Sequence, residues 1–130
     1  MFALFLHDDA VADLDTLWLT DFDVAKRITV LLEELKGNQG LLDRLTQHKY
    51  GANRSADFDV SKWQEQWHKG RNLWRLKIWD LEDTGLRYRV IYAFDPKKHH
   101  YYILAVAPRS FNYAEAHPLT VRIRRAYEEL

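Results

Sequence analysis

The chain of 130 residues has no cysteine, and its three prolines and five glycines are too few to form a flexible linker. The absence of cysteine excludes disulfide bridges, thiolate metal ligands and a cysteine nucleophile. No apolar run approaches the length of a membrane span, and acidic residues directly follow the apolar start of the chain. We therefore expect one domain over residues 1–130, with no leader or membrane anchor, located in the cytoplasm.

The chain also lacks a net charge, because 19 Lys and Arg balance 19 Asp and Glu. A neutral total by itself argues against a nucleic-acid partner. The charges are unevenly distributed, however: residues 1–43 hold nine acidic and three basic residues, and residues 44–109 hold thirteen basic and seven acidic. An acidic first third therefore offsets a basic middle, which keeps nucleic acid open as a partner of the middle segment.

The first third predicts a strand followed by a helical hairpin. Residues 2–6 are apolar on both sides, which is typical of a strand that is central in the sheet or well covered. Apolar residues then recur at three- and four-residue steps over residues 10–19 and 22–35, which predicts two amphipathic helices. A shorter helical piece follows near residues 41–45, whereas residues 46–62 are polar and show no clear period.

From Trp74 onward the apolar residues alternate with a period of two, which predicts strands over residues 74–79, 86–94 and 100–107. Short connections should join them into an antiparallel meander. Pro118 marks the start of a last helix. The predicted fold class is α+β, with an N-terminal strand and helical hairpin packed on an antiparallel β-sheet and a helix at the C-terminus.

The outer face of this meander is predicted to be basic. It would carry Arg75, Lys77, Arg87 and Arg89, and Arg109 would lie where the last strand ends. Like charges on neighbouring strands destabilise a sheet, so these five cations indicate a bound anion. The alternative is a solvated face whose cations are balanced by acidic neighbours.

Several kinds of chemistry are absent from the sequence. His99 and His100 are adjacent and would point to opposite sides of a strand, and no His-x-x-x-His pair, glycine-rich phosphate loop or Gly-x-Ser-x-Gly motif occurs. We therefore expect no metal and no cofactor. Cations and a tyrosine remain, and such a set can cleave RNA, whose 2′-hydroxyl is itself a nucleophile. The protein would hold sugar and phosphate in line and neutralise the developing charge, a task that suits arginine.

Three motifs in the second half resemble the RelE/ParE toxin superfamily, with the RelE/HigB-like branch favoured. They are Leu-Trp-Arg-Leu-Lys-Ile over residues 73–78, Arg-Tyr-Arg-Val-Ile-Tyr over residues 87–92, and an apolar strand that ends at Arg109 and is followed by Tyr113. The resemblance implies the toxin of a type II toxin–antitoxin pair, inhibited by a small antitoxin protein. RelE-like and HigB-like members cut mRNA on the ribosome, whereas ParE-like members inhibit DNA gyrase.

The resemblance also implies residue roles and partners. Arg89 and Arg109 match residues that stabilise the phosphate, Lys77 would transfer a proton, and Tyr113 would stack on the nucleotide or transfer a proton. Arg75 and Arg87 would bind the nucleic-acid backbone. The implied function is a ribosome-dependent mRNA endonuclease without metal or cofactor, whose partners are its antitoxin, mRNA and ribosomal RNA. A gyrase inhibitor and a non-catalytic binding module of the same fold remain alternatives.

Overall fold

A computed structural model describes residues 1–130 and has an α+β fold with five strands and six helices. In chain order the elements are β1 (Ala3–Leu6), α1 (Asp8–Thr20), α2 (Phe22–Lys36), α3 (Gln39–Arg44), β2 (Phe58–Lys62), α4 (Gln64–His68), β3 (Leu73–Ile78), α5 (Trp79–Asp83), β4 (Arg89–Asp95), β5 (His100–Ala107) and α6 (Pro118–Glu128). None of the helices is both long and apolar enough to cross a membrane.

The strands form one sheet in the order β1-β5-β4-β3-β2. The meander β3-β4-β5 is antiparallel, as predicted, and β2 extends it with a further antiparallel pairing. The sheet is nevertheless mixed, because β1 pairs with β5 in parallel. The strand β2 was missed, since its only buried side chains are Phe58 and Val60 and the remaining three residues are polar.

The N-terminal strand lies at the edge of the sheet and not at its centre, so of the two predicted alternatives the central position is excluded. Its residues are apolar on both sides for another reason: Leu4 packs into the core, whereas Phe5 stacks on Tyr102 at 5.7 Å and stays 45% exposed. The side chain of Gln39 pairs with the strand's outer edge, where it accepts from the backbone N–H of Phe2 at 2.7 Å and donates to its carbonyl oxygen at 2.8 Å.

The helical hairpin of α1 and α2 packs on one face of the sheet. Buried side chains of this hairpin join the larger core; among them are Leu14, Leu17, Ile28, Leu32 and Leu35. The side chain of Asp21 caps α2 by accepting from the backbone N–H of Val24 at 3.5 Å. Phe22, at the first position of α2, is 59% exposed and packs edge-on against Trp18, so it lies outside the buried stripe in which its spacing placed it.

The C-terminal helix α6 packs on the opposite face, where Ile123 and Ala126 join a second, smaller core. The guanidinium of Arg122 donates two hydrogen bonds to the carboxylate of Asp13 on α1, at 2.9 and 2.7 Å. The same carboxylate accepts from the backbone N–H of Val106 at 2.9 Å. One side chain of α1 therefore ties α6 to the end of β5.

The connection between β3 and β4 contains a short helix, which the sequence pattern does not predict. Trp79, which the alternation placed on β3, is the first residue of α5, and its indole Nε1 donates to the carbonyl oxygen of Gly51 at 2.9 Å. Leu81 is fully buried and anchors the helix. The strand β4 therefore begins at Arg89, three residues later than predicted, and Arg87 precedes it.

Candidate functional site

The sheet register brings three of the predicted cations onto one face. Lys77 on β3 lies directly opposite Arg89, the first residue of β4. Arg75 is two residues before Lys77 on the same strand, so its side chain emerges on the same side. These three side chains therefore form a basic face, which lies near the end of β3 and the start of β4.

Two of these cations have carboxylate partners within the chain. Asp59 on β2 is the register partner of Lys77, and its Oδ2 lies 3.7 Å from the Lys77 Nζ. Glu82 on α5 accepts a hydrogen bond from Nη1 of Arg89. The charges of Lys77 and Arg89 are thus compensated internally, so these two residues do not require the external anion that the charge pattern indicated.

A cavity of about 230 Å³ opens beside this compensated pair. Its lining consists of Arg87, Arg89, Pro108, Arg109, Phe111 and Tyr113. Arg87 and Arg109 form no ion pair, in contrast to Arg89. No carboxylate lines the cavity. Its walls therefore offer uncompensated positive charge next to aromatic surface, which suits a phosphate attached to a larger group.

Tyr113 forms the inner wall of the cavity and is held by packing. Its backbone is left-handed, with φ of 62°. Its ring contacts Phe111 and Trp63, at centroid distances of 4.4 and 5.3 Å, and the Arg75 guanidinium lies 4.9 Å from the ring centroid. A non-glycine residue in this region of φ is strained, and such strain is concentrated at functional sites.

The hydroxyl of Tyr113 is buried and has no hydrogen-bond partner. Burial raises the pKa of this hydroxyl, and the nearby charges of Arg75 and Arg89 oppose the rise only in part. Tyr113 is therefore protonated at neutral pH, and its hydroxyl can donate a hydrogen bond.

Lys77 is placed differently from the other predicted site residues. It does not line the cavity, and its ammonium lies 4.8 Å from the ring centroid of Trp79, close to Asp59. Of the six predicted residues, the cavity gathers Arg87, Arg89, Arg109 and Tyr113, and Arg75 joins them through its contact with Tyr113. Proton transfer by Lys77 stays a prediction, and it would require the side chain to leave Asp59.

The sequence did not reveal Glu82, Phe111 and Pro108 as neighbours of the arginines. Glu82 lies on α5, within the connection between β3 and β4, for which the sequence predicts no helix, and only 14% of its side chain is exposed. Pro108 and Phe111 flank Arg109 in the chain, and this proximity in sequence is the signal that could have placed them in the site.

His48 lies near the basic face but adds no charge to it at neutral pH. Its Nδ1 accepts from the backbone N–H of Lys62 at 3.0 Å. Partial burial, together with the charges of Lys49 and Lys62, lowers the pKa of this imidazole below its usual value. The arginines are therefore the source of positive charge around the cavity.

A larger cavity, of about 650 Å³, lies between α2 and α5. Five carboxylates and three cations lie among its 13 lining residues, and its arginines are paired: Arg27 with Asp80 at 2.5 Å and Arg54 with Asp83 at 2.8 Å. An anion would meet repulsion there, so size alone does not make it the better candidate for phosphate.

No protein-family model, curated protein or solved structure matches the chain. The cavity and the motifs on the strands around it are therefore the features that bear on its function. No group of three or more His, Asp or Glu side chains is arranged to hold a metal ion.

Proposed function

We propose that the protein is an RNA endonuclease of the toxin type that cleaves mRNA on the ribosome. The observation that carries this proposal is the cavity in which Arg87 and Arg109, both without an ion-pair partner, face the aromatic wall of Tyr113. Arginine stays charged at any physiological pH and binds two phosphate oxygens at once, so the pair can hold a phosphodiester.

The proposed reaction uses the nucleophile that RNA itself supplies. The 2′-oxygen attacks the adjacent phosphorus and gives its proton to a solvent water molecule. The bond from phosphorus to the 5′-oxygen of the next nucleotide breaks as that oxygen takes a proton from solvent, which leaves a 2′,3′-cyclic phosphate and a 5′-hydroxyl. Arg109 and Arg87 stabilise the extra negative charge on the phosphorane oxygens. Tyr113 holds Arg75 and the cavity wall in place and donates rather than accepts a hydrogen bond, since burial keeps its hydroxyl protonated.

The toxin assignment rests on the three strand motifs that resemble the RelE/ParE superfamily. The arrangement of the strand, helical hairpin and meander supports it. The proposal includes a cognate antitoxin as the inhibiting partner, contacts to ribosomal RNA, and action in the cytoplasm. Since the acidic residues are concentrated in the first third of the chain, the proposed approach to RNA is from the side of the arginine cavity.

A cell-free translation reaction followed by primer extension on the mRNA tests the proposal. The purified protein is expected to produce discrete cuts within the translated region. Arg109→Ala should reduce the cleavage rate about a hundredfold, since it removes one group that stabilises the transition state. Arg125→Ala serves as the matched control because Arg125 is exposed on α6 and lies outside the cavity lining; it should cleave at the wild-type rate.

The outcomes separate the alternatives. Intact mRNA at saturating protein refutes the nuclease, and inhibition of gyrase supercoiling in the same preparation would establish the ParE-like alternative. Cleavage by Arg109→Ala at the wild-type rate would place the chemistry elsewhere on the protein. If expression in cells reduces neither growth nor the amount of intact mRNA, the non-catalytic binding module is the alternative that remains.

A further inference from the structure

The short helix α5 carries three carboxylates, and each one binds a different arginine. Asp80 pairs with Arg27 on α2 and Asp83 pairs with Arg54, both on the side of the larger cavity. Glu82 alone reaches an arginine of the smaller cavity. The three acidic residues therefore bind arginines of two different cavities, although they are nearly adjacent in sequence.

The helix that carries Glu82 is firmly anchored. The side chain of Leu81 is fully buried, and the indole of Trp79 hydrogen-bonds to the backbone of Gly51 at 2.9 Å. The contact between Glu82 and Arg89 is itself largely shielded, with 14% and 24% of the two side chains exposed. A shielded carboxylate in a fixed position acts on its surroundings more strongly than a solvated one.

We propose that Glu82 is a specificity-determining residue of the arginine cavity: it competes with the ligand for Arg89 and thereby reduces the preference of the cavity for doubly charged phosphate ends over singly charged phosphodiesters. This inference rests on the proposed function, in which the cavity binds RNA phosphate. A ligand with charge −2 is repelled by Glu82 about twice as strongly as one with charge −1 at the same place. The penalty is therefore larger for terminal phosphates, and Glu82 shifts the selectivity of the cavity toward the internal linkages of a chain.

This role also explains a feature of the charge distribution. An arginine cavity with no carboxylate nearby would bind any phosphate monoester in its surroundings. With Arg89 already paired, only Arg87 and Arg109 offer free charge to the ligand. The part of the cavity next to Arg89 and Glu82 stays close to neutral, and a longer nucleic acid must supply further contacts.

The test measures binding of two small ligands by NMR titration of amide shifts. The first is the dinucleoside phosphate UpU with a 2′-O-methyl group on its 5′ nucleoside, which cannot be cleaved and carries one negative charge. The second is uridine 3′-monophosphate at pH 8, which carries two, because the second pKa of a phosphate ester is about 6. Shifts at Arg87 and Arg109 report that binding occurs in the cavity.

Glu82→Gln keeps an oxygen that can accept from Arg89 and removes the charge. We expect the variant to bind the diester about tenfold more tightly than the wild type and the monoester about a hundredfold more tightly. Asp80→Asn makes the same change of charge on the same helix, on the side of Arg27, and should leave both affinities within about twofold of the wild type. Glu82→Asp, which retains the charge on a shorter side chain, should give an intermediate diester affinity and serves as the second variant if Glu82→Gln loses its dispersed spectrum.

Each other outcome overturns the inference. Unchanged or weaker binding by Glu82→Gln would mean that Glu82 only holds Arg89 in place, and the proposed function would stand. Equal gains in affinity for both ligands would refute the selection by ligand charge. An equal gain in affinity for Asp80→Asn would mean that the effect comes from the net charge of the protein and not from the position of Glu82. If neither ligand binds any form of the protein, the proposed function fails together with this inference.

Discussion

Removing the carboxylate of Asp13 should loosen the attachment of α6 to the rest of the protein. Asp13 lies on α1 and is the only side chain that contacts both the backbone of β5 and Arg122 of α6. The carboxylate raises the pKa of the Arg122 guanidinium through these hydrogen bonds. Asp13→Ala would remove all of these contacts while leaving the apolar surface of α6 unchanged.

The magnitude follows from the geometry. A hydrogen bond from the buried N–H of Val106 to a charged acceptor contributes about 1.5–3 kcal/mol. The ion pair with Arg122 is partly exposed, 33% on the arginine and 19% on the aspartate, so we assign it only about 0.5–1 kcal/mol. The expected loss in the free energy of unfolding is therefore about 2–4 kcal/mol for Asp13→Ala. Asp13→Asn, which still accepts from Val106, should lose about 1 kcal/mol.

Equilibrium unfolding in urea, followed by circular dichroism, measures these losses. Asp15→Ala is the control, because Asp15 lies on the same helix, is exposed and forms no ion pair; it should change stability by less than about 0.5 kcal/mol. A loss below about 1 kcal/mol for Asp13→Ala would refute the account of how α6 is held. Equal losses for Asp13→Ala and Asp13→Asn would show that the bond to Val106 contributes nothing.

Two further predictions concern stability. Burial raises the pKa of Tyr101 to about 12, above its usual value near 10. The contribution of Tyr101 to the free energy of unfolding should therefore be complete below pH 10 and disappear as the pH rises from 10 through 12. The loss attributable to Tyr101 should reach about 2 kcal/mol between about pH 8 and about pH 11.5, measured by urea unfolding at both values. Tyr101→Phe should remove this share and leave that of Tyr92 and Tyr113, whose pKa values burial also raises. Gly51→Ala should cost about 3 kcal/mol or more, because φ is +78° and the new Cβ would lie 1.8 Å from the carbonyl oxygen of Phe58. Gly70→Ala has a similar φ but open space around it, so it should cost only about 1 kcal/mol, and equal costs would refute the steric argument.

The strands of the meander were predictable because each alternates between a buried and a less buried side. On β3, Trp74, Leu76 and Ile78 are buried, and Arg75 and Lys77 between them are not. The five-residue helix α5 was not predictable, since a single turn is too short to show a helical period. The position of β1 was not predictable either, because an edge strand covered by helices and aromatic rings resembles a central strand in sequence.

The arginines of the candidate site could be found from the sequence, but their partners could not. Alternation placed Arg75, Lys77 and Arg89 on one face, and this placement is confirmed by the register. Their carboxylates come from other elements: Asp59 from a strand that had no visible period and Glu82 from the unpredicted helix. Local patterns do not encode which side chain from elsewhere in the chain will neutralise a given charge, because tertiary packing determines it.

The edge position of β1 has a consequence for the order in which the molecule assembles. Residues 3–6 precede their strand partners, residues 100–103 of β5, by 97 positions in the sequence. During synthesis, α1 and α2 can form locally, whereas β1 has no strand to pair with until β5 has been made. The parallel pairing of β1 with β5 spans the longest sequence separation in the sheet, so we expect it to form late in folding.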